Sequence, residues 1–139
     1  MKLYRLLAVI VLARAVSACA ASPPDVKEAR DARYKGDTDA IFRALVDVVG
    51  ATYPIKAADP STLEIQTVET AYESDGATLG YSVVLTPEAP HRVQVLTHVS
   101  SSTGEDPAWV GARTERLIIA IHERLAAFEI RVDPGSGWR

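Results

Sequence analysis

The stretch Arg92-Val93-Gln94-Val95-Leu96-Thr97-His98-Val99-Ser100 decides the fold. In an extended chain Val93, Val95, Thr97 and Val99 share one side, while Arg92, Gln94 and His98 share the other. That period of two predicts an antiparallel sheet with one buried and one wet face. Upstream, Leu79, Tyr81, Val83 and Leu85 alternate in the same way, and Pro87-Glu88-Ala89-Pro90 separates the two strands. Ser74-Asp75-Gly76 carries the Asp-Gly hairpin signal. Before it, Thr62 to Glu73 predicts another strand whose apolar phase moves from Leu63 and Ile65 to Val68 and Tyr72. A change of phase predicts a bulge near Gln66-Thr67. Tyr53-Pro54-Ile55-Lys56-Ala57 reads as a short edge strand, because its proline has no place in a sheet centre.

Two helices flank these strands. Ile41, Ala44, Leu45, Val48 and Val49 repeat at helical spacing, with Asp37 or Asp39 as the cap and Gly50 as a left-handed stop. Asp106-Pro107 predicts a second start, acidic cap followed by proline at the first helical position. From there to about Phe128, the residues Val110, Leu117, Ile118, Ile121, Leu125 and Phe128 form the apolar stripe. The predicted fold is therefore α+β: a two-layer sandwich of order α-β-β-β-β-α. Its antiparallel four-stranded meander is covered on one face by the two helices.

The chain's beginning supplies an address. Lys2 and Arg5 precede an apolar run from Leu6 to Ala13, too short to span a bilayer, which needs roughly 20 apolar residues. The run leads to Val16-Ser17-Ala18-Cys19, which resembles the lipobox of bacterial lipoproteins. The resemblance implies cleavage before Cys19, a diacylglyceryl thioether on its sulfur, and acylation of the new amino terminus. Cys19 is the chain's one cysteine, so no internal disulfide competes for it. Several acyl chains hold a protein on a membrane where one binds only marginally. Ala20 after the cysteine, in place of the aspartate that retains enterobacterial lipoproteins in the inner membrane, points to the periplasmic face of the outer membrane.

On this reading residues 1–18 are a signal peptide and 19–36 a lipidated tether, small and proline-stiffened at first and then of mixed charge, where Lys27-Glu28, Arg30-Asp31 and Arg33 would also tolerate a solvent-exposed helical turn or two. Residues 37–130 are the α+β domain, and 131–139 a Gly-rich tail carrying Trp138. Residues 1–18 contain Lys2, Arg5 and Arg14, so 12 basic residues then face 18 acidic ones, a formal balance of −6. An acidic surplus promotes solubility and argues against nucleic acid, which requires a clustered basic surface. The element order over residues 37–128 resembles the helix-grip-like modules found in accessory lipoproteins of the outer-membrane barrel-assembly machinery.

Catalytic and metal chemistry find no motif. His91, His98 and His122 lack the i, i+4 spacing of a helical metal site, and no His-Glu-x-x-His occurs. Ser100-Ser101-Ser102-Thr103-Gly104 is not a nucleophile elbow. The carboxylates Glu64, Glu69 and Glu73 have no feature that would split their pKa values. No catalytic residue, metal ligand or cofactor is assigned.

The expected function is a membrane-tethered envelope lipoprotein that works as a protein-binding or scaffolding module. Its candidate partner-binding residues are Tyr53 on the edge strand, Arg92, Gln94 and His98 on the wet face, and Trp109 as an aromatic anchor. The expected partners are the bilayer, through acylated Cys19, and an envelope protein. The alternative is a small-molecule or lipid carrier with its ligand between the C-terminal helix and the sheet; an envelope hydrolase would need converging polar groups there.

Overall fold

The computed structural model describes residues 25–131. Residues 1–18, where a signal peptide is expected, Cys19 and Trp138 lie outside the described residues. Helix α1 (Val26–Asp31) leads into the short strand β1 (Arg33–Tyr34), helix α2 (Thr38–Gly50), and strands β2 (Ile55–Asp59) and β3 (Glu64–Thr67). Strands β4 (Thr78–Leu85) and β5 (Val93–Ser100), helix α3 (Ala108–Arg124), a 3-10 turn (Ala126–Phe128) and strand β6 (Glu129–Ile130) complete it. Strands β2 to β5 form one antiparallel sheet in sequence order, and β1 pairs with β6 in a second, two-stranded one. The α+β class and the four-stranded meander are as the alternation predicts.

The core lies between the sheet's inner face and helices α2 and α3. Ile65, Leu79, Tyr81, Val83 and Leu85 meet Ile41, Leu45 and Val49 of α2, together with Leu117, Ile121 and Leu125. These are the positions the two periodicities select. Tyr81, the largest of the sheet's contributions, keeps its hydroxyl satisfied inside this layer by Thr114 at 3.1 Å.

Four local expectations are corrected. Residues 25–36 are part of the folded body and not a tether. Asp25 caps α1 by accepting from the Lys27 amide at 3.0 Å, Ala29 and Ala32 are buried, and Tyr34 is 1% exposed. A helix that packs through alanines shows no apolar stripe, so the sequence pattern passes over it. Gly50 is the last residue of α2 without a left-handed φ; a Cβ there would meet Ile55 Cδ1 at 3.1 Å, so close approach selects glycine. The irregularity predicted in β3 is in β2, where the register shifts between Ile55 and Ala57 opposite Thr67 and Gln66. Thr67 ends β3 and its Oγ1 accepts from the Tyr81 amide at 2.8 Å in place of a carbonyl. Finally, α3 begins one residue later than predicted: Pro107 is the extended cap residue, and Asp106 makes no capping bond.

Candidate functional site

Antiparallel strands alternate residues that face one neighbour with residues that face the other. In β4 the amides of Leu79, Tyr81 and Leu85 all point toward the β3 side, donating to Thr70 O, Thr67 Oγ1 and Leu63 O. The even-numbered residues of β4 therefore serve β5, pairing Val84 with Gln94, Ser82 with Leu96, Gly80 with His98 and Thr78 with Ser100. It follows that Val93, Val95, Thr97 and Val99 aim their N–H and C=O groups away from β4. Strand β5 is last in the sheet, so nothing in the four-stranded ladder receives them.

The chain covers this side at one place only among the described residues. Tyr34 of β1 bridges to His91, just before β5, with N–H···O distances of 2.9 and 2.7 Å. Traced backward from Tyr34, the chain then leaves the strand's line as α1 and stands off from β5. The gap is a groove of ≈330 Å³, open to solvent, bordered by Ala29 and Arg30 of α1, Val93 and Val95 of β5, and Ile118 and Ile121 of α3. A second hollow of ≈480 Å³ shares Arg30 and Val95 with it and runs on past Thr97 to Asp106, Thr114 and Glu115.

Exposed edges in folded proteins are usually blunted by shortness, a bulge, lysine or proline. Edge strand β2 has three of these: five residues, a register shift and Lys56. Strand β5 has none. It runs eight residues in unbroken register, with no lysine, proline or carboxylate. Its inner-face valines 93, 95 and 99 are only half-buried, and Leu96 on the outer face is 54% exposed.

The predicted site residues divide over this frame. Arg92 and Gln94 line the groove beside β5, and Arg92 lies 3.9 Å from Asp31 in a pair open to water. His98 shares the outer face with Gln94 but borders a different, polar hollow of ≈590 Å³ with Lys56, Gln66, Glu69 and Ser82. Its Nε2 is 2.7 Å from Ser82 Oγ. Its Nδ1 takes part in no hydrogen bond among the described residues, so the pair lacks the orienting third group of a nucleophile–base relay.

Tyr53 and Trp109 are placed differently from expectation. Tyr53 is a buried core residue, not an exposed contact: its ring meets Tyr72 edge-on at 5.5 Å and Tyr81 at 4.9 Å. Half-buried Trp109 donates from Nε1 to Asp75 Oδ2 at 2.7 Å, while the Arg113 guanidinium lies 5.7 Å from its ring and 4.6 Å from Tyr72. Arg113 also reaches Glu73 at 3.3 Å. This cluster fastens the loop before β4 to the start of α3.

The electrostatics are structural too. Desolvation first, and the Glu129 charge second, push the Tyr34 hydroxyl up to about 12. Burial raises Tyr81 as well. Hydrogen bonds from Trp109 and the Ala77 amide hold Asp75 below the usual carboxylate range, as bonds from Ser61 do for Asp59. None of these groups lines the groove beside β5. His91 is likewise a strut. Its Nδ1–H donates to Thr86 O at 2.6 Å, which leaves Nε2 to accept from Thr38 Oγ1 at 3.3 Å. Among the described residues no three His, Cys, Asp or Glu side chains gather as a metal site, and no helix is long and apolar enough to cross a membrane.

Sequence reasoning found Arg92 and Gln94 but missed Ala29, Arg30, Ile118 and the β5 edge itself. The absence of blunting residues in β5 was a readable signal, yet only the strand order identifies which strand is the edge. Compared with known proteins, the chain matches no family model and no curated protein.

Proposed function

We propose that this chain is a lipid-anchored protein-binding module of the bacterial envelope, held by acylated Cys19 and engaging its partner along β5. The carrying observation is an unblunted edge, unpaired among the described residues, beside a groove with Val93, Val95, Ile118 and Ile121 in its wall. A partner strand laid there satisfies the outward backbone groups of Val93, Val95, Thr97 and Val99, while α1 and α3 select its side chains. The lipobox-like Val16-Ser17-Ala18-Cys19 and the acidic balance support the envelope placement. Ala20 supports the outer membrane.

A photo-crosslinking residue at Val95 of the full chain, in intact cells, tests the reading. Adducts at Val95 and none at Lys56 on the opposite edge are expected; equal adducts at both contradict it. Replacement of Cys19 by serine is expected to abolish lipid labelling and move the protein out of the membrane fraction, and unchanged membrane retention contradicts the anchor.

The carrier reading keeps one observation in its favour, the ≈330 Å³ groove with Ile118 and Ile121 in its wall. A small apolar ligand bound there would leave the edge amides of β5 unpaired, which separates the two readings.

A further inference from the structure

We infer, resting on the strand-addition reading above, that the occupant of the β5 edge is an extended polypeptide segment running antiparallel to β5, with apolar side chains at alternate positions. Its amino-terminal end is basic and its carboxy-terminal end acidic. Charge around the groove sets this order. At the start of β5 stands Arg92; Arg30, without an ion pair among the described residues, lies farther along beside Val95, where the two hollows meet. Arg92 has only the solvent-screened contact with Asp31. Past Thr97 the border is Asp106 and Glu115, both exposed and both without an ion pair among the described residues.

Direction follows from the sheet. Every pairing in it is antiparallel, and the Tyr34–His91 bridge already places an antiparallel partner on the outer side of β5's path. A segment continuing that line would take the course α1 leaves empty, its last residues beside Arg92 and its first beside Asp106 and Glu115. Side chains recur on one face of a strand at every second residue. Those facing inward would meet Val93, Val95 and Ile118, so alternate apolar residues are required.

The test uses the full chain in detergent and two fluorescent synthetic peptides of one composition. The first has a basic start, alternating valines and serines, and an acidic end; the second has the charged ends exchanged. The first is expected to bind about tenfold tighter, the magnitude of two rim ion pairs in free-energy terms. Val95→Pro removes an outward amide without touching the β4 ladder and is expected to weaken binding about tenfold. Arg30→Glu with Arg92→Glu leaves every strand bond in place and is expected to abolish the preference, since both ends of the groove are then acidic. Equal binding of both peptides overturns the inference, as does a Val95→Pro protein of native circular dichroism that binds normally. Sedimentation of the chain as a dimer that Val95→Pro dissociates overturns it in favour of a second copy. If neither peptide binds while the crosslinker at Val95 captures a partner in cells, the inference fails and the proposed function stands. If the crosslinker captures nothing either, both fail.

Discussion

Tyr34 and His91 exchange both of their main-chain hydrogen bonds, at 2.9 and 2.7 Å, and two residues later the same side of the chain has no partner among the described residues. The fold thus begins to cover the outer side of β5 and then stops, because residues before Arg33 turn into α1. Asp25 caps the turn, and Ala29 and Ala32 bring it close to α3.

Tyr34 also gives the fold a signature in alkali. Its hydroxyl ionises at about 12 in the folded protein against 10.0 when unfolded, so the folded state holds the proton more tightly. Stability from this group is complete below pH 10.0 and declines as pH rises from there through about 12. Denaturant midpoints measured across that window are expected to fall, with a shallower fall for Tyr34→Phe. Parallel slopes for the two proteins would show that Tyr34 is not the titrating group.

Asp75 predicts an effect in acid. Its carboxylate is held down first by the Trp109 indole and then by the Ala77 amide. Stability linked to it is present above the ordinary value of 3.8 and lost as pH falls through the lowered one. Trp109→Phe removes the leading donor and is expected to bring the Asp75 titration, followed by carboxyl NMR, up toward 3.8. No movement would mean that the 2.7 Å contact is absent in solution.

Gly80 faces Glu69 too closely for any side chain. A Cβ there would lie 2.8 Å from Glu69 Cγ and 3.4 Å from its Cα, and the backbone around Glu69 is fixed by the Thr70–Leu79 bridge. Gly80→Ala is expected to cost about 1–3 kcal/mol, the usual range for overpacking. Denaturant unfolding checks it, and a cost under about 0.5 kcal/mol would match an unconstrained surface position instead.

The alternation of residues 79–85 and 93–99 carried the fold class, because a half-buried antiparallel sheet writes its period directly into the sequence. The helix stripes did the same for α2 and α3. Helix α1 was legible only as charges that tolerate a solvent-exposed turn, and its packing was not: its buried residue is an alanine, which writes no apolar stripe. Tyr53 was misplaced because a tyrosine beside a proline reads as an edge, whereas here its ring closes a cluster with Tyr72 and Tyr81. The candidate site was legible only in Arg92 and Gln94. Which strand ends the sheet, and where α1 stands off from it, are facts of strand order that no local pattern contains.

His98 separates the two faces of β5. Ser82 and His98 share one partly buried hydrogen bond on the outer face, so His98→Ala is expected to cost about 1 kcal/mol of stability. Partner binding along the edge is expected to stay within about twofold, since the lost contact changes no group in the groove. A larger loss of binding would move the contact surface to the outer face.

Amide hydrogen exchange along β5 measures the central claim most directly. In the free protein the amides of Gln94, Leu96, His98 and Ser100 should be protected by β4, while those of Val93, Val95, Thr97 and Val99 exchange fast. With a bound partner strand, the second set should become protected and the first should not change. Protection of Val95 and Thr97 in the free monomer, or their continued fast exchange in the complex, would contradict an open edge that receives a strand.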